Sequence, residues 1–135
     1  MSCLTPTVMR EPLIDTVSSN MVMSDSSKVL ELDLCTMKPG DVEFSSEYKL
    51  TCNYDDKVHA LVGWWDCEFS NLGKPVTLST SPFRKGTHWK QTVFYLEHDI
   101  EVRKGDMIYG SIANSKSKTN FRELDIKISY HINSE

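Results

Sequence analysis

Strict alternation of apolar and polar side chains near the C-terminus constrains the fold more than any other feature. The apolar positions are Leu124, Ile126, Ile128, Tyr130 and Ile132. The positions between them are Asp125, Lys127, Ser129 and His131. A period of two residues places successive side chains on opposite faces of an extended chain, so the segment predicts a β-strand with one face against a core.

Further strand candidates recur along the chain, with turn residues between them. They are residues 30–34, 48–52, 59–69, 76–80, 91–96 and 107–112. Turns or loops are predicted at 38–41, 71–75, 81–86, 103–106 and 114–120. Short strands spaced by turns are typical of an all-β sandwich or barrel. The spacing leaves no room for crossover helices, so the sheet is predicted to be mainly antiparallel, after an irregular or short-helical N-terminal segment with a short helix near 18–23.

Tryptophan and the other large apolar side chains are the predicted core. Residues 60–65 are apolar at nearly every position, which predicts that both faces of that strand are covered. Trp64, Trp65 and Trp89 are core candidates because large aromatic side chains dominate burial.

Length and composition exclude several classes of function. A chain of 135 residues suits one domain, and a net charge of −4 argues against direct nucleic-acid binding. No apolar run approaches the roughly 20 residues of a membrane span, so no membrane partner is expected. The cysteines form no Cys-x-x-Cys pair and the histidines show no paired-ligand spacing, so we expect no metal site. The N-terminus does not resemble a secretory signal and no Asn-x-Ser/Thr sequon occurs, so we expect the four cysteines to be intracellular thiols, although an even count would permit two disulfides.

Constellations typical of an enzyme are largely missing. The six glycines form no Gly-x-Gly phosphate cradle, and no Gly-x-Ser-x-Gly elbow is present. Ser79, His88 and Asp99 could make a triad on paper, but triads are recognised by geometry, and the set carries little weight. Glu97, Asp99 and Glu101 share parity and could attract an arginine-rich peptide, although an ordinary solvated face is the favoured interpretation.

Five segments together carry a resemblance to a known family. They are Thr87–Glu97 (Thr-His-Trp followed by a strand), Glu11–Asp15, His59–Trp65, Ser79–Pro82 and Asn120–Ile126. Taken in their order along the chain, these segments resemble the C-terminal β-barrel of the protein arginine N-methyltransferases. The likeness is nearest to the main, type I branch, whose product is asymmetric dimethylarginine.

The resemblance implies a function for a longer parent protein. Such an enzyme moves a methyl group from S-adenosylmethionine to arginine in arginine-rich proteins, as a homodimer in cytoplasm and nucleus. A Rossmann-like domain of the same polypeptide, missing here, would bind the cofactor, so no cofactor-binding residue is expected in this chain. Residues 1–28 would be the tail of a dimerisation arm and the segment leading into the barrel, and 29–135 the substrate-binding barrel. Alone, the chain would be an inactive fragment.

The resemblance also implies roles for individual residues. His88 would be the catalytic-site residue, beside the substrate arginine, and Trp89 would pack beneath the loop and wall the arginine site. Thr87 would fix the turn by a side-chain to backbone hydrogen bond. Glu97 is a candidate for substrate binding because of its charge and strand parity, and the resemblance does not imply that role. Two alternatives stay open: a stand-alone β-sandwich that binds a peptide or carbohydrate or acts as an adaptor, and a purely structural scaffold for dimerisation.

Overall fold

The computed structural model describes residues 11–133 and confirms the all-β prediction. Its strands are β1 Leu13–Asp15, β2 Phe44–Thr51, β3 Asp56–Gly63, β4 Asp66–Phe69, β5 Val76–Ser79, β6 Gln91–Val102, β7 Met107–Lys116 and β8 Leu124–Asn133. Short 3₁₀ helices occur at Ser19–Met21 and Pro39–Val42. No helix within the described residues is long and apolar enough to cross a membrane. Residues 1–10 of the predicted arm tail and lead segment lie outside the described residues.

The described chain forms two compact units, and the first contains residues 24–56 and 101–133. Its sheet has the order β2-β7-β8, and both pairings are antiparallel, as predicted. Its buried apolar residues are Tyr48, Cys52, Val102, Ile108 and Tyr130. Tyr48, Ile108 and Tyr130 come from the three strands, Cys52 is the residue after β2, and Val102 is the last residue of β6, so the core of this unit lies against one face of the sheet.

Gly110 allows the closest backbone approach in this sheet. It pairs with Tyr48 on β2 and with Tyr130 on β8. A Cβ atom at Gly110 would lie 1.9 Å from the carbonyl oxygen of Ser129. The hydroxyl of Tyr48 donates to that same oxygen at 2.8 Å, reaching over the glycine of the central strand. Any larger residue at position 110 would clash with the backbone of Ser129, so this position requires glycine.

The second unit contains residues 11–23 and 57–100. One sheet has the order β1-β6-β3, and β4 and β5 form a separate antiparallel hairpin. The buried residues of the unit include Val58, Val93, Phe94 and Leu96, together with the polar Thr80 and Gln91. Strand β6 alternates between buried and exposed residues along Phe94–Glu97, which matches a strand with one covered face.

The strand predicted at residues 30–34 is wrong. The backbone amides of Thr36 and Met37 donate to the carbonyl of Asp33, and the amide of Cys35 donates to its side chain. These local bonds turn the chain, because a short aspartate side chain competes with strand pairing for backbone donors. Leu34 is consequently 71% exposed in place of lying on a core face.

The single strand predicted at residues 59–69 is also wrong, because the chain breaks at Trp64 and Trp65. Strand β3 ends at Gly63 and β4 begins at Asp66, and the two strands belong to different sheets. The break follows from the backbone of Trp65, which bonds to Thr80 beside the hairpin. The predicted cover on both faces is only partial, since Ala60 to Trp64 are half-buried.

Several strand bounds and one face also differ from prediction. Strand β1 was not predicted, and β2 begins at Phe44, four residues before the predicted start. Strand β6 continues to Val102, and β7 includes residues 114–116, which had been predicted as loop. The parity of β8 is as predicted, with Tyr130 buried, but three of its other apolar residues are exposed. They are Leu124, Ile126 and Ile132. Alternation therefore identified the strand, although it overestimated how much of the face is covered.

Candidate functional site

Thr80 and a ten-residue loop, 81–90, connect β5 to β6, and the loop contains Thr-His-Trp near its end. The loop is closed at its base by a pair of buried polar residues that we call the neck, Thr80 and Gln91. The amide of Gln91 donates from Nε2 to the carbonyl oxygen of Thr80 at 2.8 Å. Its Oε1 accepts a hydrogen bond from the backbone of Val17 at 2.7 Å. Both neck residues are buried, so these bonds are shielded from water.

Thr80 also ties the neck to the break between β3 and β4. Its backbone amide and its hydroxyl both donate to the carbonyl of Trp65, at 3.0 and 2.8 Å. The backbone amide of Trp65 in turn donates to the Thr80 hydroxyl at 3.0 Å. Both backbone groups of Trp65 are therefore satisfied by one residue, which fixes the position of Trp65 against the base of the loop.

Side-chain to backbone bonds shape the loop itself. Thr87 Oγ1 accepts from the amide of Trp89 at 3.2 Å, which confirms the predicted turn. Ser81 makes the equivalent bond to the amide of Phe83 at 3.1 Å. Lys90 then adopts a φ of 54°, a left-handed conformation that redirects the chain into β6.

Aromatic rings support the loop at both ends. Trp65 meets Trp89 edge to face with ring centroids 5.9 Å apart, and Trp64 meets Phe83 in the same way at 6.5 Å. Trp65 is 44% exposed and Trp89 is 60% exposed, so the prediction that these two lie in the core is wrong. A polar turn cannot bury its own indole, and Trp89 therefore presents most of its ring to solvent.

His88 lies exposed beside Trp89, with ring centroids 6.1 Å apart. Within residues 11–133, no hydrogen bond or ion pair joins His88 to another residue. An imidazole with both nitrogens available can donate one hydrogen bond and accept another. The loop thus offers an adaptable polar group next to a flat apolar surface.

Glu97 is exposed on β6 and is separated from the loop. Six residues of extended chain divide it from Gln91, which is about 20 Å along the strand. The structure therefore does not bring Glu97 next to His88. Its neighbour of the same parity, Asp99, lies 3.7 Å from His59.

The triad drawn on paper from Ser79, His88 and Asp99 is not assembled. The hydroxyl of Ser79 donates to Asp66, and Asp99 pairs with His59. Neither group is bonded to His88, so the loop has no built nucleophile and base of the serine-hydrolase kind.

The described residues form neither a metal-binding cluster nor a glycine-rich phosphate cradle. Across residues 11–133 no group of three or more His, Cys, Asp or Glu side chains could hold a metal ion. The glycines are scattered over different strands and turns, so none forms a cradle at a helix N-terminus. Cys35, Cys52 and Cys67 are free thiols, and Cys3 lies outside the described residues.

Comparison with known proteins identifies the family. Residues 1–135 match the family described as the arginine methyltransferase oligomerization subdomain. The chain belongs to this family. Among its curated relatives, protein arginine N-methyltransferase 1 of Schizosaccharomyces pombe is 48% identical over 126 residues, covering 93% of this chain. Protein arginine N-methyltransferase 1.1 of Arabidopsis thaliana is 40% identical over 135 residues.

This member of the arginine methyltransferase oligomerization subdomain family spans about a third of its relatives. The matched region is 37% of the fission yeast protein and 35% of the Arabidopsis protein. Among solved structures, the Trypanosoma brucei PRMT1 enzyme–prozyme heterotetrameric complex with AdoHcy matches 92% of this chain and 39% of its own, at a TM-score of 0.83 and 34% identity. Arabidopsis thaliana protein arginine methyltransferase 10 shares the fold at a TM-score of 0.85 and 22% identity over 90% of this chain and 37% of that one.

Sequence reasoning missed the residues that hold the loop. Thr80, Gln91 and Trp65 were not predicted as site residues, yet their bonds define the neck. A signal was present at Gln91, where a polar amide opens a strand whose following residues are largely buried. A polar side chain at such a position needs a hydrogen-bond partner, and that requirement points to a nearby backbone group.

Proposed function

We propose that this chain is the C-terminal, substrate-side β-barrel of an S-adenosylmethionine-dependent protein arginine N-methyltransferase of the type I branch. The observation that carries the proposal is the exposed Thr-His-Trp loop, clamped by a buried neck, in a chain whose relatives are named as these enzymes. Residues 1–28 would serve as the tail of a dimerisation arm and the lead into the barrel, and 29–135 as the substrate-binding barrel.

The loop has the chemistry needed at the edge of an arginine site. A guanidinium keeps its proton at neutral pH, so a transferase cannot activate it by simple deprotonation. The enzyme must instead align the guanidinium nitrogen with the methyl donor and balance the positive charge. The flat indole of Trp89 suits a planar cation, and the imidazole of His88 can accept or donate one directed hydrogen bond. Thr87 acts indirectly, by holding the backbone turn on which both side chains stand.

The cofactor would bind outside the residues described here. Residues 11–133 form no glycine cradle for S-adenosylmethionine, so we assign that role to a Rossmann-like domain of the same polypeptide and derive no step through the cofactor. The complete enzyme would act as a homodimer in cytoplasm and nucleus. Support for assembly comes from the family description as an oligomerization subdomain and from the heterotetrameric trypanosome relative.

The acidic face of β6 would attract arginine-rich substrates. Glu97 and Asp99 are exposed and share one face of the strand, some 20 Å from the loop. At that distance carboxylates act by long-range attraction and by holding neighbouring cationic residues of a peptide, because direct contact with the reacting arginine is out of reach. Glu97 is therefore proposed as a contact for flanking residues of the substrate.

The test uses the complete coding sequence that contains this chain, with transfer of a labelled methyl group to an Arg/Gly-rich peptide. We expect methyl transfer by the complete protein, and a loss of about 10²-fold or more in kcat/KM for His88→Ala. His98→Ala is the matched control, because this histidine is also exposed but lies on β6 outside the loop. A complete protein that folds and transfers no methyl group contradicts the proposed activity.

Equal turnover by wild type and His88→Ala would contradict the role of His88 alone. A charge-reversed Glu97 that leaves KM for the peptide unchanged would remove Glu97 from the proposal. The two results are separable because the histidine is expected to affect the aligned complex, whereas the carboxylate is expected to affect peptide affinity.

A further inference from the structure

Trp65 occupies an unusual place between two sheets. It lies in the break between β3 and β4, and both its backbone amide and its carbonyl bond to Thr80 of the neck. A residue held at both backbone groups has little freedom to move. Its side chain is nevertheless 44% exposed, so burial in a core does not explain why a tryptophan stands there.

The indole of Trp65 meets the indole of Trp89. Their ring centroids are 5.9 Å apart and their planes are inclined by 68°. Trp89 is 60% exposed, and its other ring contact within residues 11–133 is with His88. An exposed side chain on a turn samples several rotamers unless a neighbour selects one. Trp65 is the neighbour whose own backbone is fixed.

We propose that Trp65 is a positioning residue, whose indole holds Trp89 and thereby sets the place of His88 at the edge of the arginine site. Edge-to-face packing selects one orientation of the Trp89 ring. A displacement of about 1 Å in a positioning group can cost about 10²-fold in rate, so a loosened loop would impair alignment of the guanidinium. The effect on the reaction rests on the proposed function, whereas the holding of the loop rests on the ring contact alone.

The first experiment measures the holding of the loop in this chain, without any activity. The three tryptophans are replaced by 5-fluorotryptophan, and the ¹⁹F resonance of Trp89 is assigned from its loss in Trp89→Phe. We expect Trp65→Ala to shift or broaden the Trp89 resonance, and Trp65→Phe to preserve it because a ring remains in place. Phe69→Ala is the matched control, since Phe69 is an aromatic of similar exposure at the other end of β4. An unchanged Trp89 resonance in folded Trp65→Ala overturns the inference.

The second experiment measures kinetics in the complete protein. We expect Trp65→Ala to lower kcat by about 10-fold or more with KM changed less than about 3-fold, and Trp65→Phe to recover most of kcat. Equal kcat in wild type and Trp65→Ala overturns the positioning role even if the ¹⁹F resonance moves. An inactive wild type contradicts the proposed function instead, and the ¹⁹F spectra then decide the holding of the loop independently. If Trp65→Ala does not fold, Trp65→Leu provides an apolar replacement without a ring for both measurements.

Discussion

Replacement of Gly110 by alanine is expected to destabilise the β2-β7-β8 sheet strongly. The added Cβ would lie 1.9 Å from the Ser129 carbonyl oxygen and 2.7 Å from its carbonyl carbon, both backbone atoms. Real Cβ contacts essentially never fall below 3.0 Å, so β7 and β8 would have to separate by about 1.1 Å at this point. Backbone cannot yield as a flexible side chain does.

The size of the effect follows from the bonds that such a shift breaks. Tyr48 donates to Ser129 at 2.8 Å, and the amide of Ser111 donates to the Ser129 hydroxyl at 3.1 Å. Lengthening either bond by about 1 Å takes it beyond hydrogen-bonding range. Overpacking costs about 1–3 kcal/mol and each of the two lost bonds about 1 kcal/mol, which gives about 3–5 kcal/mol in the free energy of unfolding.

Urea unfolding followed by far-ultraviolet circular dichroism measures this difference through the midpoint and slope. Gly40→Ala is the matched control in the same unit, since an added Cβ there meets nothing within 4 Å. We expect it to change stability by less than about 1 kcal/mol. The reasoning is refuted if Gly110→Ala is destabilised by no more than this control.

Two further predictions concern titratable groups. Burial raises the pKa of Tyr48 to about 12, with Tyr130 adding to the shift, so the fold favours the neutral phenol. The resulting stability is fully present below the unfolded pKa near 10 and is lost as pH rises towards 12. Between about pH 9 and pH 12, wild type should therefore lose more stability than Tyr48→Phe in urea unfolding, and parallel losses would contradict this. Burial, helped by Asp106 and Asp25, also raises the pKa of the Cys52 thiol, whereas Cys35 is exposed. In the native chain, iodoacetamide should alkylate Cys35 at least about 10-fold faster than Cys52 by peptide mass spectrometry, and similar rates would show that Cys52 is accessible.

Periodicity predicted strands best where pairing with neighbouring strands decides the backbone conformation and no local hydrogen bond competes with that pairing. The alternation of β8 was sufficient to identify that strand, because its backbone pairs with β7 along its whole length. The same period at residues 30–34 failed, since Asp33 accepts hydrogen bonds from the backbone amides of Cys35, Thr36 and Met37. A two-residue period cannot distinguish these cases, because it records which side chains are apolar and not which backbone amides find a local hydrogen-bond acceptor.

The exposed residues of the site could be predicted from the sequence, whereas the neck that holds the loop could not. Thr87, His88 and Trp89 could be proposed from a resemblance, and the Thr87 turn follows from the chemistry of its hydroxyl. The bonds of Thr80 and Gln91 join residues 11 positions apart and reach back to Val17, 74 positions away. Such distant partners are set by tertiary packing, about which composition and local pattern carry no information.

The neck has a consequence for how the loop can vary during evolution. Because Gln91 bonds to Thr80, the two ends of the loop are joined to each other independently of what lies between them. The cost of closing a loop rises only slowly with its length, so insertions or deletions between Ser81 and Gly86 would leave both ends in place. In homologous chains the segment from Ser81 to Gly86 can therefore change in length or in net charge while Thr-His-Trp keeps its attachment to the sheet.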